Sequence, residues 1–352
     1  MSHPHSLLIF GATGRVGGAI VFTLRQQYPT LPITALVRNR TRGERLRGVV
    51  FKRGGQRASL TRSELGIIIV NGDLENLGLV VDLVSSADIV VNAAVSESVS
   101  LAQAILLGLN NRRKNSREPI LLHISRTVLG LHHEEPRSLQ LNTRAYDDVD
   151  TAEWMAKPPA TTSHLVDNEI IQAACPSSFQ AYIVAPTIVL GRAHTPLPQR
   201  SHQIIRLVER ALREKRLVFP GDGTNAGNGV HVQDVVKLCC GLLDNAMSPG
   251  HEPPPENPQF FFATSVEFLW SDIAAKIASK LYDRGLIESD RVYSVPLGRV
   301  PELCEYSRHA RIVALKSRNL QLQPTSNINV LDLIDADLDA LLESYGLSVI
   351  SD

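Results

Sequence analysis

The chain has 352 residues, of which 43% are hydrophobic and 20% charged, a composition typical of a folded globular protein. Its 36 basic and 36 acidic side chains balance, so no net field draws it to nucleic acid or to a membrane surface, and we expect neither as a partner. The four cysteines form no CxxC pair, no apolar run reaches about 18 residues and the N-terminus has no signal-peptide pattern, which together predict a cytoplasmic protein.

Short apolar runs alternate with helical spacing through the first half of the chain. They predict strands at 6–10, 33–37, 66–70, 88–92, 120–124 and 181–184. This alternation is typical of an α/β fold, and six strands make a full Rossmann-type, doubly wound parallel sheet. Beyond Gly191 the spacing becomes mostly helical, with helices near 203–214, 234–244 and 271–282. We therefore expect a Rossmann domain over 1–190 and a smaller, mostly helical C-terminal substrate lobe over 191–352.

The segment GATGRVGG joins the first strand to the first helix and spaces Gly11, Gly14 and Gly17 three residues apart. Gly11 permits a tight turn, Gly14 lets the backbone approach a pyrophosphate, and Gly17 lets the helix pack closely on the sheet. The free N–H groups and positive dipole of the helix N-terminus attract that pyrophosphate. Because a strand precedes the glycines and a helix follows, the segment predicts a dinucleotide site, to which Thr13 and Val16 also belong.

The end of the second strand indicates which dinucleotide binds. An acidic residue there would bind the free 2′-hydroxyl of NAD, whereas arginine accepts the 2′-phosphate of NADP. Arg38 follows the strand directly, and no acidic residue occurs before Glu44. We expect Arg38, with Arg15 from the glycine turn, to flank the phosphate. The sequence thus predicts NADP(H), with NAD as the alternative, and a solvated loop for the remaining basic residues up to Arg62.

Two further strand ends carry candidate cofactor contacts. Asp73 and Leu74 follow the third strand, and Asp73 either accepts a hydrogen bond from the adenine amino group or caps the next helix. Ala93 and Ala94 follow the fourth strand, where small side chains let the chain pass beneath the dinucleotide.

These segments together resemble the extended and atypical short-chain dehydrogenase/reductase superfamily, in particular its NAD-dependent epimerase/dehydratase-like members. The resemblance also rests on the strand that leads into Ser125 and on the segments 186–191 and 230–235. It implies that Pro186 borders the nicotinamide and that part of the 225–245 segment returns to the Rossmann sheet. It also implies a small-molecule substrate, and a homodimer is compatible with it.

The reactive centre of that family is a serine or threonine after the fifth strand plus a Tyr-x-x-x-Lys pair on the next helix. Ser125 matches the serine, but His164 and Asn168 stand where the tyrosine and lysine are expected. Tyr146 does not restore the pair, because Asp150 follows it four residues later. Two replacements are open: His164 acts as the acid/base, since an unperturbed histidine pKa of about 6.5 suits neutral pH, or Tyr146 reaches the cleft from the polar rim at 137–163.

Three functions remain open at this point. The first is an NADP(H)-dependent oxidoreductase acting on a small organic carbonyl, alcohol or enone, with Ser125 polarising the oxygen. The second is a non-redox enzyme of the epimerase/dehydratase type, and the third is an NAD(P)-binding sensor or regulator without catalysis. No metal site is predicted, because the HHEE segment at 132–135 has no third ligand at suitable spacing.

Overall fold

The computed structural model describes the chain in segments separated by gaps, with only the backbone described at 52–53 and 56–57. The described residues are 5–47, 52–53, 56–57, 67–112, 118–126, 145–149, 151, 161–174, 179–193, 195, 204–248, 250, 259–307, 311–322 and 329–347. The HHEE segment at 132–135 and most of the expected rim at 137–163 lie outside them.

Strands and helices are numbered here in chain order. The strands are β1 (Leu7–Phe10), β2 (Ile33–Val37), β3 (Lys52–Arg53), β4 (Gln56–Arg57), β5 (Ile67–Asn71), β6 (Ile89–Asn92), β7 (Ile120–Ile124), β8 (Tyr146–Asp147), β9 (Gln180–Pro186), β10 (Ile188–Leu190), β11 (Leu217–Pro220), β12 (Ala226–His231), β13 (Gln259–Ala263), β14 (Val266–Leu269), β15 (Val292–Val295) and β16 (Ile312–Val313). The helices are α1 (Arg15–Gln27), α2 (Arg40–Arg47), α3 (Leu77–Ser85), α4 (Val99–Asn111), α5 (Thr162–Ala174), α6 (Ile205–Glu214), α7 (Val232–Met247), α8 (Trp270–Asp283), α9 (Lys316–Asn319) and α10 (Val330–Ser344). Two 3₁₀ turns span Leu297–Arg299 and Pro301–Ser307.

Seven parallel strands form the central sheet in the order β13-β9-β7-β6-β1-β2-β5. The order reverses between β1 and β6, since the chain runs outward through β2 and β5 on one side and through β6, β7, β9 and β13 on the other. In doubly wound folds such a reversal opens a crevice at the carboxyl ends of the strands, where ligands bind. The α/β Rossmann-type prediction is confirmed, and β13 is an additional strand that the apolar pattern did not reveal.

The strands of this sheet are hydrophobic along their whole length because both faces are covered. In β1, Leu7 and Ile9 point into one core, whereas Leu8 and Phe10 point into the other. Helices α1 and α7 cover the first face, and α3, α4 and α5 cover the second. This two-sided packing fixes the register of the strand ends, and therefore the position of every residue that follows a strand.

A third hydrophobic core lies in the C-terminal part of the chain. Helices α6, α8 and α10 pack there around β11, with Leu207, Ile277 and Leu338 fully buried. Trp270 makes T-shaped ring contacts with Phe268 and Tyr306 in the same core. Among the described residues, no helix combines the length and the apolar character that a bilayer crossing requires.

The structure corrects one prediction about local structure in this fold. The basic segment after Arg38 was expected to be a loop, but α2 occupies Arg40–Arg47. The Asn39 side chain caps this helix by accepting from the Arg42 N–H at 2.9 Å, and Leu46 anchors it in the first core. The apolar signal was a single leucine among arginines, too weak to indicate a helix.

Candidate functional site

The glycine turn between β1 and α1 lies against the end of β6. Gly11 has a φ of +82°, and a Cβ at this position would stand 2.4 Å from the carbonyl oxygen of Ala93. Glycine is therefore required both by the left-handed backbone and by the close approach of the two strand ends. A Cβ on Gly17 would in turn lie 2.3 Å from the Gly11 carbonyl oxygen, so α1 packs this closely on the turn only because residue 17 has no side chain.

The N-terminus of α1 is open towards the carboxyl edge of the sheet. Gly14 is its exposed N-cap, no side chain among the described residues caps the helix, and the first turn holds no acidic residue. By contrast, Asn76 caps α3 and Ser98 caps α4. The first-turn N–H groups of α1 thus remain available to an anion such as a pyrophosphate. Thr13 and Val16 are partly buried in the same turn, and their contact with a cofactor stays a prediction.

The side chain of Arg15 contacts the C-terminal part of the chain. Its guanidinium donates to the carbonyl oxygens of Val189, at 3.1 Å, and Gly191, and it forms an ion pair with Asp337 at 2.9 Å. These partners belong to the segment after β9 and to α10. The Arg15 charge is thus used between the glycine turn and the C-terminal part of the chain, and its expected place beside the 2′-phosphate with Arg38 stays a prediction.

Arg38 and Asp73 lie at the end of the sheet expected to hold the adenosine. Arg38 is exposed directly after β2, and the Gly72 N–H donates to the Val37 carbonyl at 3.1 Å, which holds the ends of β2 and β5 together. Asp73 is exposed and accepts from the Glu75 N–H at 3.0 Å. The alternative role of Asp73 as a helix cap is wrong, since the cap of α3 is Asn76. The cofactor roles of Arg38 and Asp73 stay predictions.

The remaining candidate cofactor contacts are Ala93 and Ala94, which follow β6, together with Leu74 and Pro186. Ala93 continues the β1 ladder by donating to the Phe10 carbonyl at 3.1 Å, and Ala94 is exposed beside it. Leu74 is partly buried against the second core, and Pro186 is buried at the end of β9. Ala93 and Ala94 thus follow β6 beside the strand reversal, and their contact with a cofactor stays a prediction.

Ser125 lies directly after β7 and pairs with a carboxylate that the sequence analysis did not single out. Its side chain is 0% exposed, and its hydroxyl donates to Asp167 Oδ2 of α5 at 2.6 Å. Asp167 is also 0% exposed. In the sequence, Asp167 could have been recognised as a charged residue on the apolar face of a helix, between the buried Val166 and Ile170.

His164 is buried one helical turn before Asp167. Its backbone N–H bonds to the Thr161 carbonyl at 3.1 Å at the start of α5. Residues three apart on a helix share a face, so His164 and Asp167 lie on the same side of α5. The structure therefore places His164 in the neighbourhood of the Ser125 pair, and its role as an acid/base stays a prediction.

Asp167 also faces a buried histidine. His123 Nε2 lies 3.6 Å from Asp167 Oδ1, and His123 Nδ1 lies 3.1 Å from the amide nitrogen of Asn92. Asn92 and His123 are register partners at the ends of β6 and β7, which places both at the crevice. Burial lowers the pKa of His123 to about 4, so its imidazole is neutral at pH 7. The contact with Asp167 is thus between a neutral ring and a carboxyl group.

Tyr146 lies in a strand rather than in a polar rim loop. It pairs with Ile312 through β8 and β16, and its side chain packs against the second core. The expected swing of Tyr146 from the rim into the cleft would have to break this pairing. Among the described residues, no group of three or more His, Cys, Asp and Glu side chains is arranged to hold a metal ion.

The NAD dependent epimerase/dehydratase family model matches residues 7–252. This span is more than half of the chain, and the protein belongs to that family. Its fold and its glycine turn are accordingly those of a dinucleotide-binding protein.

Two curated relatives carry names of redox enzymes. The oxidase ucsJ of an Acremonium species is 21% identical over 305 residues, with 83% of each chain covered. A protein of Arabidopsis thaliana named Probable pinoresinol-lariciresinol reductase 3 is 32% identical over 102 residues, which cover 29% of this chain and 28% of the relative.

Solved structures share the fold over almost the whole chain. A dTDP-glucose 4,6-dehydratase from Streptomyces venezuelae with NAD bound is 17% identical, with a TM-score of 0.64 and coverage of 97% of this chain and 98% of that chain. UDP-glucose 4-epimerase from Thermotoga maritima, solved with UDP-glucose, is 13% identical, with a TM-score of 0.62 and coverage of 97% and 99%. At these identities the likeness establishes the fold.

Proposed function

We propose that this protein is an NADP(H)-dependent oxidoreductase that moves a hydride between the nicotinamide and a small organic carbonyl, alcohol or enone. The observation that carries the proposal is the Ser125 hydroxyl, held at 2.6 Å by Asp167 at the carboxyl end of β7. In the proposed function this hydroxyl would bond the reacting oxygen of a substrate bound next to the nicotinamide. The names of the two curated relatives, an oxidase and a reductase, support the same reaction class.

The residues at the crevice fit a dinucleotide. Gly11 and Gly17 leave no room for side chains, and the uncapped start of α1 offers N–H groups to a pyrophosphate. When bound, the nicotinamide supplies or accepts the hydride. Ala93 and Ala94 would form the wall beneath it, and Ser125 would bind and orient the substrate oxygen.

Exposed Arg38 supports NADP(H) over NAD. Its side chain follows β2, where a 2′-phosphate is bound in related folds, and the described residues up to Glu44 include no carboxylate that could bind a free 2′-hydroxyl. Solved relatives of the same fold bind NAD, so the preference for NADP rests on Arg38 itself.

A non-catalytic NAD(P) sensor is the second candidate. The observation that favours it is the sequence of α5, TSHLVDNEIIQAA, which contains neither tyrosine nor lysine. An epimerase or dehydratase that returns the hydride to its substrate remains the third candidate, because the family includes such enzymes by name.

Transfer of an isotopic label separates the three candidates. The protein is incubated with NADPH deuterated at C4 and with a panel of ketones, aldehydes and enones, and products are analysed by mass spectrometry. An oxidoreductase places deuterium in a product, and Ser125→Ala abolishes most of the transfer while NADPH still binds.

His164→Gln and Tyr146→Phe are compared in the same assay. If His164 is the proton donor, His164→Gln lowers the transfer rate by about 10²–10⁴, the usual effect of general acid–base catalysis. Wild-type protein that binds NADPH but labels no product across the panel contradicts the oxidoreductase and favours the sensor.

A further inference from the structure

We propose that Asp167 accepts the proton of the Ser125 hydroxyl during hydride transfer, and that this pair, oriented by His123 and Asn92, replaces the Tyr-x-x-x-Lys pair of the family. The proposal rests on the proposed function. In this relay Ser125 would bond the substrate oxygen, whereas Asp167, His123 and Asn92 would act through Ser125 as positioning residues.

The hydrogen bond between Ser125 and Asp167 has the geometry of a charge-assisted contact. At 2.6 Å it is within the range of about 2.5–2.7 Å for a hydroxyl bound to a carboxylate. The serine proton points at Asp167 Oδ2, and once it has passed to that carboxylate, Oγ can take a proton from a substrate hydroxyl. A serine beside a base is the arrangement in which a hydroxyl of this kind becomes reactive.

Hydrogen bonds at the end of β6 fix the tautomer of His123. The Asn92 amide oxygen accepts from the Ala94 N–H at 3.3 Å, and its amide nitrogen donates to the Val95 carbonyl at 3.1 Å. The amide nitrogen can only donate, so His123 Nδ1, 3.1 Å away, is the acceptor. The single proton of the neutral imidazole is therefore on Nε2, which faces Asp167 Oδ1. Asn92 thus orients the imidazole with its N–H towards Asp167 Oδ1, at a separation of 3.6 Å that is longer than a hydrogen bond.

Asp148 is a second buried carboxylate, and its contacts are those of a structural residue. Asp148 accepts from the backbone N–H groups of Phe262, Leu315 and Lys316 at 2.7–3.0 Å, and so joins β13 to the start of α9. Asp167 is equally buried, but its carboxylate faces side chains at the crevice. Burying a charge is costly unless it is paired, and such groups beside a cleft are candidates for a functional role.

Several titratable groups lie near Asp167 among the described residues. His164 lies on its own helix, and partly exposed Glu169 bonds to Gln103 of α4. Helix α4 itself has no charged residue, and the titratable group of β9, Tyr182, packs in the first core on the opposite face of the sheet. Next to Ser125, Arg126 forms an exposed ion pair with Glu97 at 3.5 Å. Ser125 and His123 are two of the side chains that lie against the Asp167 carboxyl group.

The step balances as an alcohol oxidation. The substrate carbon gives its hydride to C4 of NADP⁺, and the substrate hydroxyl gives its proton to Ser125 Oγ while the serine proton passes to Asp167 Oδ2. The products are the carbonyl compound, NADPH and a protonated Asp167, which then loses its proton to solvent. Carbonyl reduction is the same path in reverse, starting from protonated Asp167.

The kinetic test uses NADP⁺ and a panel of secondary alcohols in single-turnover experiments from pH 5 to 9. Asp167→Asn keeps the shape of the side chain but removes the acceptor charge, so we expect a rate loss of about 10²–10⁴ with the KM for NADP⁺ little changed. The decrease of the wild-type rate at low pH should disappear in the variant. Glu169→Gln, a change at a partly exposed position on the same helix, is the control and should leave both rate and profile unchanged.

A spectroscopic test needs no substrate. The infrared band of the protonated Asp167 carboxyl, identified by its loss in Asp167→Asn, is titrated in the wild type and in Ser125→Ala. Removing the hydroxyl destabilises the charged form, so the midpoint should rise by about one pH unit or more. An unchanged midpoint overturns the relay whatever the alcohols show. If the wild type oxidises alcohols and Asp167→Asn does so equally well, the relay is wrong but the proposed function stands. If the wild type oxidises no alcohol, the proposed function is contradicted, and the relay has no reaction to serve.

Discussion

The ion pair between Arg15 and Asp337 links the glycine turn to the last helix, and removing it is the most direct test of that link. The two residues are 322 positions apart in the chain, and their atoms meet at 2.9 Å with side chains 11% and 3% exposed. Asp337→Ala removes the acidic partner and leaves the guanidinium buried. We expect this single change to destabilise the contact between the dinucleotide turn and α10.

The size of the effect follows from burial. Breaking a buried ion pair costs about 3–5 kcal/mol, because the remaining charge has lost its partner without regaining water. Arg15 keeps its hydrogen bonds to the Val189 and Gly191 carbonyls, and alanine is a better helix former than aspartate by up to about 0.7 kcal/mol. Both effects reduce the loss of stability, so we expect Asp337→Ala to lower the free energy of unfolding by about 3 kcal/mol, at the low end of the range.

The assay is urea unfolding followed by circular dichroism, with a matched control on the same helix. Arg192 and Glu343 join the same two parts of the chain at 3.4 Å, but their side chains are 57% and 59% exposed. Glu343→Ala should therefore change the free energy of unfolding by less than about 1 kcal/mol. Replacing both buried partners, as in Arg15→Met with Asp337→Leu, should recover most of the stability lost in Asp337→Ala. A loss of stability in Asp337→Ala no larger than that in Glu343→Ala would mean that the buried ion pair does not stabilise this contact.

Three further predictions concern the cofactor and pH. Arg38→Ala should weaken NADPH binding by about 1.5–3 kcal/mol, roughly 10- to 150-fold, with little effect on NADH binding. Calorimetric titration measures both affinities, and Arg291→Ala, a change at another exposed arginine, is the control. Equal weakening of both cofactors would mean that Arg38 does not bind the 2′-phosphate. Gly14→Val should abolish NADPH binding by the folded protein, since a branched side chain would occupy the pyrophosphate position at the N-cap of α1, and unchanged affinity would refute that placement. The depressed pKa of His123, about 4 in place of 6.5, means that the unfolded chain binds a proton that the folded chain excludes, so stability should fall by about 3 kcal/mol as the pH drops from 6.5 to 4. His123→Gln should flatten that part of the curve of unfolding free energy against pH, and a variant curve parallel to the wild type would contradict it.

The fold was predictable because its signals are local. The strands of a parallel sheet covered on both faces are continuous apolar runs, and Gly11 to Gly17 carry their conformational requirement in the residue type itself. The family resemblance then assigned Ser125 by its place after β7. Strand β13 was missed because it follows a proline-rich segment and returns to the sheet edge from the far side of α7.

The parts that could not be predicted depend on contacts between distant segments. Nothing near Arg15 in the sequence indicates that its partner is Asp337, and an arginine in a glycine turn is equally compatible with a phosphate ligand. Asp167 was not predicted as a site residue, because the Tyr-x-x-x-Lys spacing aligns His164 and Asn168 with the family pair and leaves Asp167 outside it. Only the packing of α5 against the end of β7 shows that the carboxylate, one turn further along the helix, bonds to Ser125.

A crystal structure of the protein soaked with NADP⁺ would show where the cofactor binds. We expect the pyrophosphate at the N-terminus of α1, the 2′-phosphate within hydrogen-bond distance of Arg38, and the nicotinamide C4 on the side of Ser125. A cofactor whose nicotinamide lies away from Ser125, or a crystal that takes up no NADP⁺ at the end of β1, would contradict this placement.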